Sequence, residues 1–369
     1  MIKETLADLV RIDSVSSRSN AEIVEYIEKR CQKLHLSTGY VPYMDKNLVQ
    51  KINLIALSHR TYDVELALVG HTDTVPYDPN WSEATNLTER DGKLYGRGAC
   101  DTKGFIAAAL TALETIKPQK PLALVFTADE EIGLLGAKVL AENKALRPRY
   151  SIVGEPTSLK PIRAGKGYSL AEVIVKGREA HSAYPALGAS AVFRAARLIN
   201  RLESIATKLR DDQHPAFDPP YTTLNIGLIH GGSAKNVLAG ECRFTLEWRP
   251  IPTQPSDHVL NLFRTAIEEE TRADPGFECE VDASRQDTGF ETAPDSPLVK
   301  LLERASGKES GTVAFGTEAA QMKLLGSECV VIGPGDIREA HRTGEFVPVD
   351  ELERCADILR QSIQQLCSS

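Results

Sequence analysis

Imidazoles and carboxylates recur at the ends of short apolar runs along the 369-residue chain. His71-Thr72-Asp73 follows the run Val64–Gly70, Asp129-Glu130-Glu131 follows Leu122–Ala128, and Glu155 follows Tyr150–Gly154. His341 comes eight residues after Gly333, which ends the run Cys329–Gly333, and Asp101 opens a helical stretch after Gly96-Arg97-Gly98. Imidazole nitrogen with carboxylate oxygen, and no thiolate, suits Zn²⁺ or a similar borderline divalent ion in a catalytic site. Two histidines and three or four carboxylates exceed the three protein ligands of one catalytic zinc. Two ions about 3.5–4 Å apart, bridged by one carboxylate, use the whole set. Asp73, two residues beyond His71 in an extended segment, faces the same way and is placed to orient the imidazole. Glu130 and Glu131 are adjacent and cannot point together, so one can coordinate while the other faces the water.

Each residue alone has a plainer explanation. A His after a strand is commonly a surface residue, Asp101 could cap its helix, and Glu130 and Glu131 could be helix-start acids. Glu155 is held extended by Pro156 in any turn. Their recurrence after several strands argues for one site.

The elements that must position them follow from periodicity. Continuous apolar runs suit strands covered on both faces, as in an α/β sheet with parallel segments, and ligands in such sheets collect beyond the carboxyl ends of the strands. Helical patterns fill 21–34, 104–116 and 133–142. The fold class expected is therefore α/β: a mixed, largely parallel sheet sandwiched by helices. From about residue 170 the order becomes strand, helix, strand, strand, helix, strand, the β-α-β-β-α-β arrangement of a ferredoxin-like domain. The expected division is a catalytic domain of residues 1–169 and 286–369 interrupted by an inserted lid or dimerisation domain of residues 170–285.

Composition narrows the function. Hydrophobic residues at 42% and charged residues at 25% indicate a globular chain. A net charge of -8, with no basic cluster, speaks against nucleic-acid binding. The apolar runs are far shorter than the roughly 20 residues that cross a bilayer. Acids within the first eight residues disfavour an export signal. The seven cysteines are odd in number and form no C-x-x-C pair, as expected for reduced thiols in a cytoplasm.

Four motifs, His71-Thr72-Asp73-Thr74-Val75-Pro76, Gly96-Arg97-Gly98-Ala99-Cys100-Asp101-Thr102-Lys103-Gly104, Thr127-Ala128-Asp129-Glu130-Glu131-Ile132-Gly133 and Gly154-Glu155-Pro156-Thr157, occur in order. Together they resemble the dinuclear-zinc aminoacylase/carboxypeptidase (M20-type) family of metallohydrolases, over nearly the whole chain. The resemblance implies a zinc-exopeptidase-like catalytic domain with two Zn²⁺ per subunit, Co²⁺ being a substitute. It implies that Asp101 bridges the ions, that His71 and Glu155 complete one, and that Glu131 and His341 complete the other. Asp73 would orient His71, Glu130 would be the general base, and the Asp101–Thr102 peptide would be cis. In the inserted domain, His181 within Gly177-Arg178-Glu179-Ala180-His181 resembles the histidine that stabilises the oxyanion, across a homodimer in dimeric members. Arg249 resembles the arginine that grips the substrate carboxylate, and Asn236 a neighbouring asparagine.

The implied reaction is hydrolysis of an N-acyl amino acid. Gly154–Pro161 and the Gly333–Asp336 and Ala340-His341 segments point within the family to N-acetyl-L-ornithine and arginine biosynthesis. Desuccinylation of succinyl-diaminopimelate, or hydrolysis of acetyl-citrulline, acetyl-lysine or a dipeptide, is the alternative in the same chemistry. A non-catalytic binding protein that kept the fold is the alternative outside it. Thr102 replaces the usual Met after the bridging Asp, and Gly344 stands where many relatives carry an acid or Asn.

Overall fold

The structure, a computed structural model, describes residues 2–368. The chain divides into two compact units, the first made of Met1–Ala164, Glu291–Gly311 and Thr317–Ser369, the second of Gly165–Phe290 and Thr312–Gly316.

In the first unit the sheet runs in the order Ser37–Met44, Gln50–Leu57, Leu122–Thr127, Asp63–His71, Arg147–Val153, Glu328–Val331. From Leu122–Thr127 to Glu328–Val331 the neighbours are parallel. These central strands are the continuous apolar runs of the sequence, and every residue of Leu122–Thr127 is buried. Beyond Glu328–Val331 the direction reverses, with Val331 opposite Ile162.

Alternate side chains leave the sheet on opposite faces. Leu66 and Leu68 enter the core formed with Leu6, Ile23, Phe105 and Leu359. Ala67 and Val69 face the other way, where helices Leu135–Glu142 and Ala319–Leu324 pack together and on the sheet. Helix Lys103–Ala112 is buried on nearly all sides rather than along one stripe. Its alanines let helices Val349–Cys367 and Ile2–Arg11 approach it closely.

The second unit has strands Tyr168–Lys176, Thr223–Gly231, Glu241–Arg249 and Glu278–Asp287 and helices Ala191–Lys208 and His258–Ala273. Its antiparallel sheet runs Thr223–Gly231, Glu241–Arg249, Tyr168–Lys176, Glu278–Asp287, the ferredoxin-like order. Strand Tyr168–Lys176 alternates buried with less buried residues, so one face covers a core of Val173, Val175, Leu198, Phe244 and Trp248 beneath the helices.

The structure differs from the sequence reading in three places. The units divide at Ala164/Gly165 and Phe290/Glu291, not at 169/170 and 285/286, and Thr312–Gly316, expected in the catalytic part, belongs to the second unit. There the Lys166 N–H donates to the Val313 carbonyl at 3.2 Å and the Thr312 hydroxyl to the Ala216 carbonyl at 2.5 Å. The helix expected from residue 133 begins at Leu135, because Gly133 (φ 128°) and Leu134 (φ 60°) first make a left-handed turn. The hairpin Ser37–Met44 with Gln50–Leu57 is additional. All seven cysteines are free thiols, and among the described residues no helix is long and apolar enough to cross a membrane.

Candidate metal centre

Parallel register brings the chemical residues level. His71 ends its strand opposite Thr127, and Val69 lies opposite Val153, so 71–73, 129–131 and 155 leave the same edge of the sheet. Asp101 enters beside them from the loop before helix Lys103–Ala112, and its peptide bond to Thr102 is cis.

Asp101 sits between two imidazoles. Its Oδ1 is 3.0 Å from His71 Nε2 and its Oδ2 is 3.2 Å from His341 Nε2. His341 Nε2 is also 3.0 Å from Glu131 Oε2. One donor atom each from His71, Asp101 and Glu131 can be chosen so that all lie within 4.8 Å of one another. A carboxylate whose two oxygens face two separate imidazoles has the disposition of a bridging ligand.

The electrostatics favour cations. Glu155 is buried, and its carboxyl is pushed well above the usual range by burial, then by the charges of Asp101 and Glu130. Burial likewise pushes Glu130 well up, with His71 opposing and Glu131, Glu318 and Asp101 adding to the rise. Burial also raises Glu131, against its hydrogen bond with His341. Hydrogen bonds to Asp101 and Glu131 hold His341 up to about 10. For His71, burial works against the charged ring, yet the hydrogen bond to Asp101, the Asp73 carboxylate 3.6 Å away and the nearby acids raise it well above an ordinary histidine. A group of acids this dense and this dry calls for positive charge at its centre, and its nitrogen and oxygen donors fit zinc-like ions.

Asp73 does more than the sequence reading gives it. Its carboxylate lies 3.6 Å from His71 Nδ1, within ion-pair range though too far for a hydrogen bond, and the ring nitrogen is 3.0 Å from the Asp73 peptide oxygen. The carboxylate also accepts the Glu130 N–H at 3.0 Å, the Glu131 N–H at 3.3 Å and the Ser16 hydroxyl at 2.7 Å. It fixes the backbone that presents the two glutamates.

His181, Asn236 and Arg249 belong to the second unit. His181 is exposed, its Nδ1 accepting the Ala183 N–H at 3.1 Å, and the Ser182 N–H donates to the Asn236 carbonyl at 3.0 Å. Both lie beyond the end of the sheet where Lys176 pairs with Glu241. Arg249 ends strand Glu241–Arg249 at the opposite edge, its guanidinium 4.5 Å from the Tyr168 ring centre and its Nε 2.9 Å from Glu247. At about 3.3 Å per residue, the length of that strand separates it from the His181 end by about 25 Å.

One residue near the centre escapes sequence reasoning. Glu318 is buried, and burial pushes its pKa up to about 7 against the opposing charge of His71 and the nearby Thr127 hydroxyl. It stands in Phe315-Gly316-Thr317-Glu318, with no apolar run before it to mark a strand end.

Residues 67–365 match the family model described as peptidase family M20/M25/M40. An acetylornithine deacetylase of Myxococcus xanthus is 50% identical over 370 residues, 99% of this chain and 97% of that protein. An acetylornithine deacetylase of Aliivibrio salmonicida is 34% identical over 99% of this chain and 98% of its own length. The crystal structure of a tripeptidase from Staphylococcus aureus superposes with a TM-score of 0.78 at 26% identity, over 100% of this chain and 98% of that one. With a full-length relative at half identity and a family match across both units, the chain belongs to peptidase family M20/M25/M40, metal-dependent hydrolases of amide bonds.

Proposed function

We propose that the protein hydrolyses the amide bond of N-acetyl-L-ornithine, giving L-ornithine and acetate, a step of arginine biosynthesis in the cytoplasm. The observation that carries this reading is Asp101 between His71 and His341, with Glu130 half-buried alongside. The name of the relative at 50% identity supplies the substrate, and the free thiols suit a reducing compartment.

Asp101 would bridge two Zn²⁺ ions, with Co²⁺ as a substitute, His71 and Glu155 holding one and Glu131 and His341 the other. Bound there, the ions polarise the amide carbonyl and lower the pKa of water. Glu130, its carboxyl raised by burial, takes the water's proton and passes it to the departing amine. Asp73 keeps Glu130 and Glu131 in register through their peptide N–H groups. His181 hydrogen-bonds the developing oxyanion and Arg249 grips the substrate carboxylate with its bidentate fork, with Asn236 beside them.

His181 and Arg249 sit at opposite ends of one sheet, so a site that uses both draws them from two copies. A homodimer through the second unit satisfies this. Leu228 and Ile229 are 60% and 51% exposed on the edge strand Thr223–Gly231, which is open to pairing.

The test is a steady-state assay of the metal-reconstituted protein on N-acetyl-ornithine beside succinyl-diaminopimelate, acetyl-citrulline, acetyl-lysine and a dipeptide, with released amine detected. N-acetyl-ornithine should give the highest kcat/KM. A higher value for another compound reassigns the substrate, and no release from any of them removes the catalytic reading.

A further inference from the structure

Glu345 is fully buried, and both of its carboxylate oxygens are engaged. One oxygen accepts two consecutive peptide N–H groups, from Cys100 at 2.9 Å and from Asp101 at 3.1 Å. The other faces Arg97 Nη1 at 2.5 Å, and Arg97 is itself buried. The main chain repeats the attachment, the Gly96 N–H donating to the Glu345 carbonyl at 3.1 Å.

Glu345 stands four residues beyond His341 on a short, tightly turned segment. Its N–H donates to the Arg342 carbonyl at 3.2 Å, and His341 (φ 62°) and Gly344 (φ 83°) are both left-handed. One side chain therefore fastens the segment that presents His341 to the loop that presents Asp101. The stretches lie 244 residues apart from Asp101 to Glu345, and just beyond Glu345 the strand Phe346–Pro348 pairs with Lys93–Tyr95, so the carboxylate fixes the part of the junction that lies nearest the ligands. The two ligands must face one ion with errors of a few tenths of an ångström, and neither loop is regular structure.

We propose that Glu345 is a positioning residue of the metal centre, locking Asp101 and His341 into one constellation while Arg97 balances its charge. The proposal rests on the dinuclear reading above. Outer residues that orient metal ligands typically contribute 10–100-fold to metal affinity.

The test titrates Co²⁺ into the full-length, chelator-stripped protein and follows stoichiometry, affinity and the visible absorption of the bound ion. Wild type should bind two ions. Glu345→Gln keeps the size and one acceptor oxygen but turns an amide N–H toward Arg97. It should weaken the less tightly held ion by about 10–100-fold and alter its absorption. Arg97→Lys, which keeps the charge and loses the fork, should shift affinity the same way by less, and it decides the matter if Glu345→Gln does not fold. Asp274→Asn, which breaks the Arg194 pair in the second unit, should lower thermal stability and leave Co²⁺ affinity unchanged. Wild-type affinity and spectrum in a folded Glu345→Gln, or in Arg97→Lys where the first does not fold, overturn the proposal alone. A wild type that binds no Co²⁺ overturns the dinuclear reading and the proposal with it.

Discussion

Lys51 Nζ lies 2.7 Å from Asp129 Oδ1, with both side chains sealed from solvent. Lys51 also donates to the carbonyls of Ser16 and Arg18, and the Tyr43 hydroxyl donates to Asp129 Oδ2 at 2.9 Å. Asp129 is left-handed (φ 56°) and immediately precedes Glu130 and Glu131. The pair thus anchors one side of the turn whose other side Asp73 holds, and Ser16 touches both halves through its carbonyl and its hydroxyl.

Removing one partner strands the other's charge in a dry interior. Lys51→Met should destabilise the protein by about 3–5 kcal/mol, read by urea denaturation. The double variant Lys51→Met/Asp129→Asn should recover part of that loss. Additive costs in the two single variants would show that the pair does not act as a unit.

Asp73→Asn replaces a carboxylate that accepts three donors with an amide that has one acceptor oxygen and presents N–H groups to donors. The Glu130–Glu131 backbone should shift. Steady-state kinetics with saturating metal should show kcat down by about 10–100-fold and KM little changed. A raised KM at unchanged kcat would move Asp73 from the reaction to substrate binding.

Glu130→Gln should lower kcat by about 10²–10⁴-fold, the contribution of a general base. Because Glu130 is not assigned as a ligand, bound metal measured by elemental analysis should stay at the wild-type level. Loss of metal together with activity would instead make Glu130 a ligand.

Glu318 gives a pH signature. Its folded pKa of about 7 stands above the ordinary glutamate value of 4.5. The folded chain therefore binds this proton more tightly than the unfolded chain, and the associated stability is fully present below pH 4.5 and lost as pH rises through 7. In chelator-treated protein, Glu318→Gln should remove this loss and raise unfolding free energy above pH 7 by on the order of 3 kcal/mol. Parallel pH profiles of variant and wild type in urea denaturation would show that Glu318 is not the titrating group.

What the sequence discloses here is what depends on short-range pattern. Continuous apolar runs mark the central parallel strands, and a parallel sheet puts their carboxyl ends at one edge. His71, Glu131 and Glu155 can be picked from their places after those runs. The hairpin strand Ser37–Met44 has no fully buried residue, so no apolar period reveals it. Thr312–Gly316 is assigned to its unit by hydrogen bonds to distant residues, which a local reading cannot supply.

The supporting polar residues are hidden for the same reason. Lys51 is 78 residues from Asp129, and Glu345 is farther still from Asp101. Each looks like an ordinary surface charge until its partner is known. Asp73 is legible as a helper of the site but only in part of its task, because i and i+2 spacing predicts the side-chain contact with His71 while the two backbone donors that the packed turn adds come from residues 57 and 58 positions away.

His341 leaves half of its side chain open to water, whereas only 1% of His71 is exposed. The two cations would then differ in lifetime, since solvent can compete for the outer imidazole and cannot reach the inner one. A dilute chelator should strip the pair in sequence, emptying the His341 side first, and protein purified without added metal should carry its remaining ion against His71.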